Sequence, residues 1–471
     1  MIFGDGKMAV FSIIKLSELE GAKIFASEFY HPAKIISKRR LENAGTKKIK
    51  DYFYNVKEIF DPKTTPLTQQ ALVFDLSDVT SYFLYSRKKV TSSEEVGSAK
   101  KIFLQNDVLI SRLRPYLKEV SFIGFNEKLK LASTEFVVLR QKGNRYYPET
   151  LFAYLINKEM QNILAWSITG TEHPRFDEDY FLKLTLPDFS ENIHKKIKTI
   201  VQSAWKIFLN SLDLYSQAET LLLEELGLNF KPRYKKTYTA KLSSTLIVHR
   251  IDAEYFQPAY EEIIEKIKEY PNGFCRLLKQ VENVKPDFDP TKYPDKIFSY
   301  VELADIDSTI GVIHSVNEIK GEEAPSRARR LLRENDVIVS SVEGSLEKVA
   351  LIDREHDGCL ASTGFFQFRP LNILPEVLLV LSKTIVLQSQ LKKRCSGTIL
   401  TAVPRESLRG IVIPIFPPPI QQKIASLVQQ SHGARRKAKE LLEIAKKAVE
   451  IAVKKNEKEA LDYISKSVKK S

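Results

Sequence analysis

From Ser190 onward the apolar positions fall on alternating three- and four-residue steps: Ile193, Ile197, Ile200, Ala204, Ile207, Leu214, Ala218 and Leu221, with Ser211 the one polar member. Val201, Phe208, Tyr215 and Leu222 widen the stripe at seven-residue spacing. This pattern predicts a long, coiled-coil-like helix with a broad apolar face. A second stripe runs through Ile420, Ile424, Leu427, Ser431, Ala434, Ala438, Leu441, Ala445, Ala448 and Ala452, built from smaller side chains. Large residues on one helix (Trp205, Phe208, Tyr215) facing alanines on the other would pack closely. The helices near Ser190–Leu226 and Pro417–Lys455 are therefore expected to pair antiparallel. At ~1.5 Å per residue, roughly 35 residues make a rod of about 50 Å, long enough to hold two domains apart.

Outside these stripes the pattern is one of short strands and helices, and it occurs twice. Leu72–Val79 and Ile297–Ile306 read as strand and turn. Val108–Ser111 and Val337–Ser341 read as strands following Asn-Asp turn signals. Pro148-Glu149 and Pro375-Glu376 open helices, proline suiting the first helical position and an acid its positive end; these are expected to reach about Leu164 and Lys392. A Gly-Thr loop (Gly170-Thr171, Gly397-Thr398) and a short strand ending in proline (Leu184–Pro187, Ile411–Pro414) complete each copy. The motifs pair in one order at nearly constant spacing: Pro32 with Pro258 (258 − 32 = 226), Asp107 with Asp336 (336 − 107 = 229), and Pro187 with Pro414 (414 − 187 = 227). That period is domain-sized, too long for a solenoid or propeller unit. The expected fold is α+β, a tandem pair of mixed α/β domains separated by two long antiparallel helices. The expected bounds are 1–189 and 251–416 for the domains, 190–228 and 417–471 for the long helices, and 229–250 for a basic linker holding Lys231, Arg233, Lys235 and Lys236.

Composition narrows the class of partner. The chain has 43% hydrophobic and 28% charged residues, as an ordinary globular protein does. Lys+Arg 72 against Asp+Glu 59 leaves a net charge of +13, which favours a polyanionic partner, nucleic acid first and an anionic membrane second. Cys275, Cys359 and Cys395 are widely separated with no C-x-x-C, which fits a reducing cytoplasm and argues against a disulfide framework or zinc site. The run Met8–Ile14 is too short for a membrane span, so a soluble, cytoplasmic protein is expected.

Catalytic patterns are missing where a tandem enzyme would show one twice. The histidines have no metal-ligand spacing, Gly4-Asp5-Gly6-Lys7 lacks the phosphate-loop spacing, and neither a dinucleotide fingerprint nor an amino-methyltransferase motif occurs. What repeats is basic and polar. Lys100-Lys101 and Arg329-Arg330, with Arg327 just before, precede the Asn-Asp turns at equal distances. Ser111, Arg112, Arg114 and Lys118 follow the strand in the first copy, and Ser340, Ser341 and Lys348 in the second. Arginine and lysine serve phosphates and guanine edges, and serine serves either. These residues, with Thr171 and Thr398 of the Gly-Thr loops, are the candidate DNA contacts.

Arg250–Pro258 (Arg-Ile-Asp-Ala-Glu-Tyr-Phe-Gln-Pro), Tyr300–Asp307, Arg333–Lys348, and Gly397-Thr398 through Pro414 followed by a long helix resemble the specificity subunit of type I DNA restriction-modification systems. The first copy departs at Ile24 and Ala26, where the second has Arg250 and Asp252. The resemblance implies two target-recognition domains, each reading one half of a bipartite sequence in double-stranded DNA, with the long helices setting the gap. It implies no catalysis and no cofactor in the subunit itself. It also implies two methyltransferase subunits that use S-adenosylmethionine and, through them, ATP-dependent restriction subunits. Two other readings stand beside it: a DNA methyltransferase or nuclease with an unfamiliar active site, and a coiled-coil scaffold. The first would bind S-adenosylmethionine or cut DNA by itself; the second would have no use for the paired basic clusters.

Overall fold

The computed structural model describes residues 10–20, 24–86, 88–126, 129–228, 232, 234–397 and 401–469. The chain divides into two compact units, Met1–Phe208 with Arg436–Ser471, and Leu209–Arg435. Each contains mixed sheets and short helices, and each long helix contributes part of its length to both.

In the first unit an antiparallel four-stranded sheet runs in the order Val120–Phe122, Val108–Ser111, Phe136–Gln141, Phe53–Asn55. A second sheet orders Ile59–Phe60, Lys100–Ile102, Lys130–Ser133, Ala71–Phe74 and Lys89–Val90, with one parallel pairing, Lys130–Ser133 on Ala71–Phe74. The second unit has the same plan. Its first sheet orders Val349–Leu351, Val337–Ser340, Phe365–Pro370, Val281–Asn283. Its second orders Ala328–Leu331, Leu360–Ser362, Ile297–Val301, Asn317–Lys320, and again the middle pair is parallel. The cores repeat with the sheets. Leu84, Phe103, Leu109, Ile123, Ala132 and Phe136 lie in the first, and Ile313, Leu332, Ile338, Ile352, Ala361 and Phe365 in the second, each 229 residues on (338 − 109 = 229).

The twice-written motifs acquire structural causes. Asn106 and Asn335 take the left-handed conformation, φ 69° and 71°, which asparagine tolerates better than most residues. The following aspartate is buried in both copies. Asp107 accepts Leu104 N–H at 2.8 Å and two donors of Arg140 at 2.9 and 2.8 Å. Asp336 accepts Arg333 N–H at 3.1 Å and two donors of Arg369 at 3.0 and 3.1 Å. Asp78 and Asp305 each cap the N–H three residues back, at 2.7 and 2.8 Å. The Pro-Glu acids tie each unit's short helix to a long one: Glu149 accepts Gln202 at 2.7 Å, and Glu376 accepts Gln429 at 2.6 Å.

The long helices span Glu191–Glu225, 35 residues, and Pro418–Lys454, 37 residues. In the second unit, Glu225 at the end of the first accepts the Tyr270 hydroxyl at 2.9 Å, and the Tyr270 ring packs on Phe416 just before the second, centroids 5.6 Å apart. Further along, Ser431 Oγ donates to Ser211 O at 2.6 Å. The end of one helix thus lies by the beginning of the other, and the pair is antiparallel. In the first unit Glu457, just beyond the second helix, accepts Ser190 N–H just before the first, at 2.7 Å. The polar breaks in the two stripes meet each other, since Arg435 Nε also donates to Ser211 Oγ at 3.2 Å.

One expectation changes, and the helix stripe and the linker gain detail. Trp205 and Phe208 also pack on their own unit: Phe208 stacks on Phe83 at 4.1 Å, and Trp205 packs on Phe83 and Phe125 at 5.2 and 5.7 Å. The broad stripe covers the unit's own sheets as well as the partner helix, and a Cβ on Gly124 would come within 2.5 Å of the Trp205 ring. The Pro-Glu helices are each two helices, Pro148–Leu155 with Lys158–Ala165 and Pro375–Lys383 with Ile385–Arg394. Asn157 caps the new start by accepting Met160 N–H at 2.9 Å, and Thr384 is extended, ψ 171°. Within the basic linker Leu242–Val248 form a helix, while Lys231 and Arg233 lie outside the described residues.

Candidate nucleic-acid interface

In both copies the chain leaves the central strand of the four-stranded sheet, turns, and is hydrogen-bonded by the segment that follows the Gly-Thr loop. The same three backbone bonds build this frame. Arg112 N donates to Glu135 O at 3.0 Å, as Ser341 N does to Gly364 O at 2.9 Å. Phe176 N donates to Arg112 O at 3.1 Å, as Val403 N does to Ser341 O at 2.8 Å. Arg114 N donates to Pro174 O at 2.8 Å, as Glu343 N does to Thr401 O at 3.0 Å. The backbone repeats and the side chains on it do not: Arg112 becomes Ser341, Arg114 becomes Glu343, and Glu135 becomes Gly364.

In the first unit this frame carries a charge network. Glu135 accepts Arg175 through two nitrogens at 2.9 and 2.7 Å and Arg112 Nε at 3.1 Å. Glu178 accepts Lys57 and Asn55 at 2.6 Å each and lies 3.4 Å from Arg112 Nη1. The Arg175 hydrogen bond and the Arg112 charge hold the Glu135 carboxyl below the usual range. Burial works to raise Glu178, but Lys57, Lys101 and Arg112 outweigh it and keep its carboxyl low. Lys101 is buried beside these groups; burial lowers its ammonium, and the Glu178 charge opposes the shift. Four cations (Lys57, Lys101, Arg112, Arg175) thus surround two carboxylates, leaving an excess of two positive charges (4 − 2).

Other candidates fall at varying distances from this network. Arg114, exposed and left-handed at φ 45°, reaches Glu172 O at 3.4 Å, beside the hairpin whose exposed turn holds Thr171. Lys118 is exposed and also left-handed, φ 61°. Lys100 is buried and turns to Ser98 at 3.0 Å and Asp75 at 3.6 Å. Ser111 is buried, its hydroxyl donating to Leu113 O at 2.8 Å.

In the second unit Ser340 is buried and shapes the turn, lying 3.0 Å from Ser345 Oγ and accepting Val342 N–H at 3.1 Å. Ser341 Oγ donates to Gly364 O at 2.9 Å, and Lys348 Nζ to Ile306 O at 3.0 Å. Arg327 is exposed, and Arg329 pairs with Asp289 at 2.6 Å. Arg330 takes the place of Lys101 and is also buried; Nη1 donates to Val284 O at 2.8 Å. Burial, and then the nearby Arg405 charge, push its guanidinium down to about 10. Arg405 stands where Glu178 stands in the first copy (405 − 178 = 227). Thr398 lies outside the described residues.

Reading the sequence alone missed Lys57, Glu135, Arg175 and Glu178, which come from three separate segments and carry no motif; the fold alone assembles them. Among the described residues no group of three or more His, Cys, Asp or Glu is placed to hold a metal, and no helix is long and apolar enough to cross a membrane.

No family model matches the sequence. A stretch of 119 residues, 24% of this chain and 26% of the relative, is 33% identical to the type I restriction enzyme HindI specificity subunit of Haemophilus influenzae, so the match spans about a quarter of that protein. Among solved structures, the HsdS subunit from Thermoanaerobacter tengcongensis is 18% identical with TM-score 0.29, covering 88% of this chain and 96% of that one. The type I restriction-modification S subunit from M. genitalium is 12% identical with TM-score 0.39, covering 87% and 94%. A chain from a study of complex assembly and conformational transition of the type I R-M system is 17% identical with TM-score 0.31, covering 87% and 97%. Over its matched stretch the chain is similar to the specificity subunit of a type I restriction enzyme, the family that its repeated motifs resemble.

Proposed function

We propose that this chain is the DNA-recognising specificity subunit of a type I restriction-modification complex. Each repeat, near 1–189 and 251–416, reads one half of a bipartite double-stranded target, and the long helices fix the gap and dock two methyltransferase subunits. Restriction subunits join through that complex. The chain itself performs no chemistry and works in the cytoplasm. One observation carries this reading: the same hydrogen-bonded turn occurs in both repeats with different side chains on it, Arg112 and Arg114 against Ser341 and Glu343. A shared backbone frame with divergent polar side chains suits a pair of modules that dock alike and read different bases. The net charge of +13 adds the sequence-independent attraction to phosphate.

The test is to express the chain with its methyltransferase and map methylated bases across the genome, while assaying the purified chain alone. The expected result is methylation at one bipartite sequence, dependent on this chain, with no methyl transfer or cleavage by the chain by itself. Transfer by the pure chain would instead support the enzyme reading. Methylation that does not depend on the chain would remove the recognition role.

A further inference from the structure

We infer that Glu135 is a positioning residue that converts two arginines from phosphate binders into readers of a guanine in the half-site of the first unit; this rests on the function proposed above. Glu135 occupies the Nε–Nη2 edge of Arg175 at 2.9 and 2.7 Å and Nε of Arg112 at 3.1 Å. His173 O fixes Arg175 further, accepting Nη1 at 2.9 Å. The Arg175 guanidinium is thereby held along one edge, and Arg112 is held at Nε, with its Nη1 3.4 Å from Glu178. Each terminal nitrogen carries two hydrogens, so Nη2 of Arg175 and Nη2 of Arg112 keep donors to offer outward. The side chains remain about one-third exposed, 33% for Arg112 and 36% for Arg175.

Charge and geometry agree. A free surface arginine can follow a phosphate through many rotamers, whereas guanine O6 and N7 require donors at fixed positions. A shared carboxylate cancels part of the charge that would draw the pair to phosphate and removes the rotamer freedom that would blur a base contact. The second unit has no such device on the same backbone frame: Gly364, Ser341 and Ala402 stand where Glu135, Arg112 and Arg175 stand (402 − 175 = 227). The clamp therefore belongs to one half-site only.

The test uses the full chain assembled with its methyltransferase, and duplex DNA carrying the wild-type target with each base pair replaced in turn. For Glu135→Gln, discrimination against replacement of one guanine in one half-site should fall by about tenfold, within the range of a good bidentate pair. Discrimination at every position of the other half should stay unchanged. Arg175→Lys, which keeps the charge but not the fork, is measured beside it and should lose discrimination at the same base pair. Discrimination that is unchanged throughout, or that falls equally in both halves, overturns the clamp. A wild-type complex with no sequence preference overturns the proposed function itself, and so is distinguished from failure of the clamp.

Discussion

Asp336 has 1% of its surface exposed and takes hydrogen bonds from Arg369, Gln367 and the backbone of Arg333. Removing one partner of such a buried pair strands the others, at a cost of about 3–5 kcal/mol. Arg369→Met, which leaves the buried Asp336 carboxylate uncompensated, should therefore lower the urea midpoint of the chain sharply, whereas Asp336→Ala, which leaves the 39% exposed Arg369 side chain free to turn to water, should cost less. Glu119 gives a pH signature. Burial pushes its carboxyl up to about 7, against the opposing Ser111 hydrogen bond and Arg114 charge. Between an unfolded value of about 4.5 and a folded value of about 7 the folded chain holds more protons, so this group's stabilisation is present below about 4.5 and is lost as pH rises through 7. Glu119→Gln should remove that decline and stabilise the protein by about 1 kcal/mol at pH 8, read from denaturant midpoints across pH. At this scale the Asn-Asp-Val pair was legible as a turn, because asparagine and aspartate announce turns locally. The arginines that hold the aspartate, Arg140 and Arg369, were not, because they sit 33 residues further along the chain (140 − 107).

The long helices were the most legible elements, since apolar residues on alternating three- and four-residue steps over many turns specify an amphipathic helix rather than a strand or loop. What the period left open was which neighbour each apolar residue meets, as Trp205 and Phe208 show by turning onto Phe83. The polar break is a connected node in the second unit, where Arg435 pairs with buried Asp307 and also reaches Ser211 and Thr309. Burial works to raise the Asp307 carboxyl, but the Arg435 charge prevails and holds it low. Arg435→Met should cost about 3–5 kcal/mol by leaving that carboxylate uncompensated, and adding Asp307→Leu should recover most of the loss. Thermal unfolding of the single and double variants checks this; equal destabilisation by both would mean that the ion pair is not what the helix seam loses.

For the molecule as a whole, the tandem plan was legible because spacing is preserved from core to turn: Leu109 and Ile338, Asp107 and Asp336, Glu149 and Glu376 all fall 227 to 229 residues apart (376 − 149 = 227). The candidate interface was legible only in part. Arg112 and Arg114 were found because they follow a repeated strand; their partners were not, because charge networks close through space. As proposed, the two repeats read DNA independently. This is tested by grafting residues 25–188 of a relative with a different target into this chain, expressing the hybrid with the methyltransferase, and mapping the methylated sites. One half of the recognised sequence should change to the relative's, while the other half and the gap persist. A hybrid that alters both halves together would contradict independent reading.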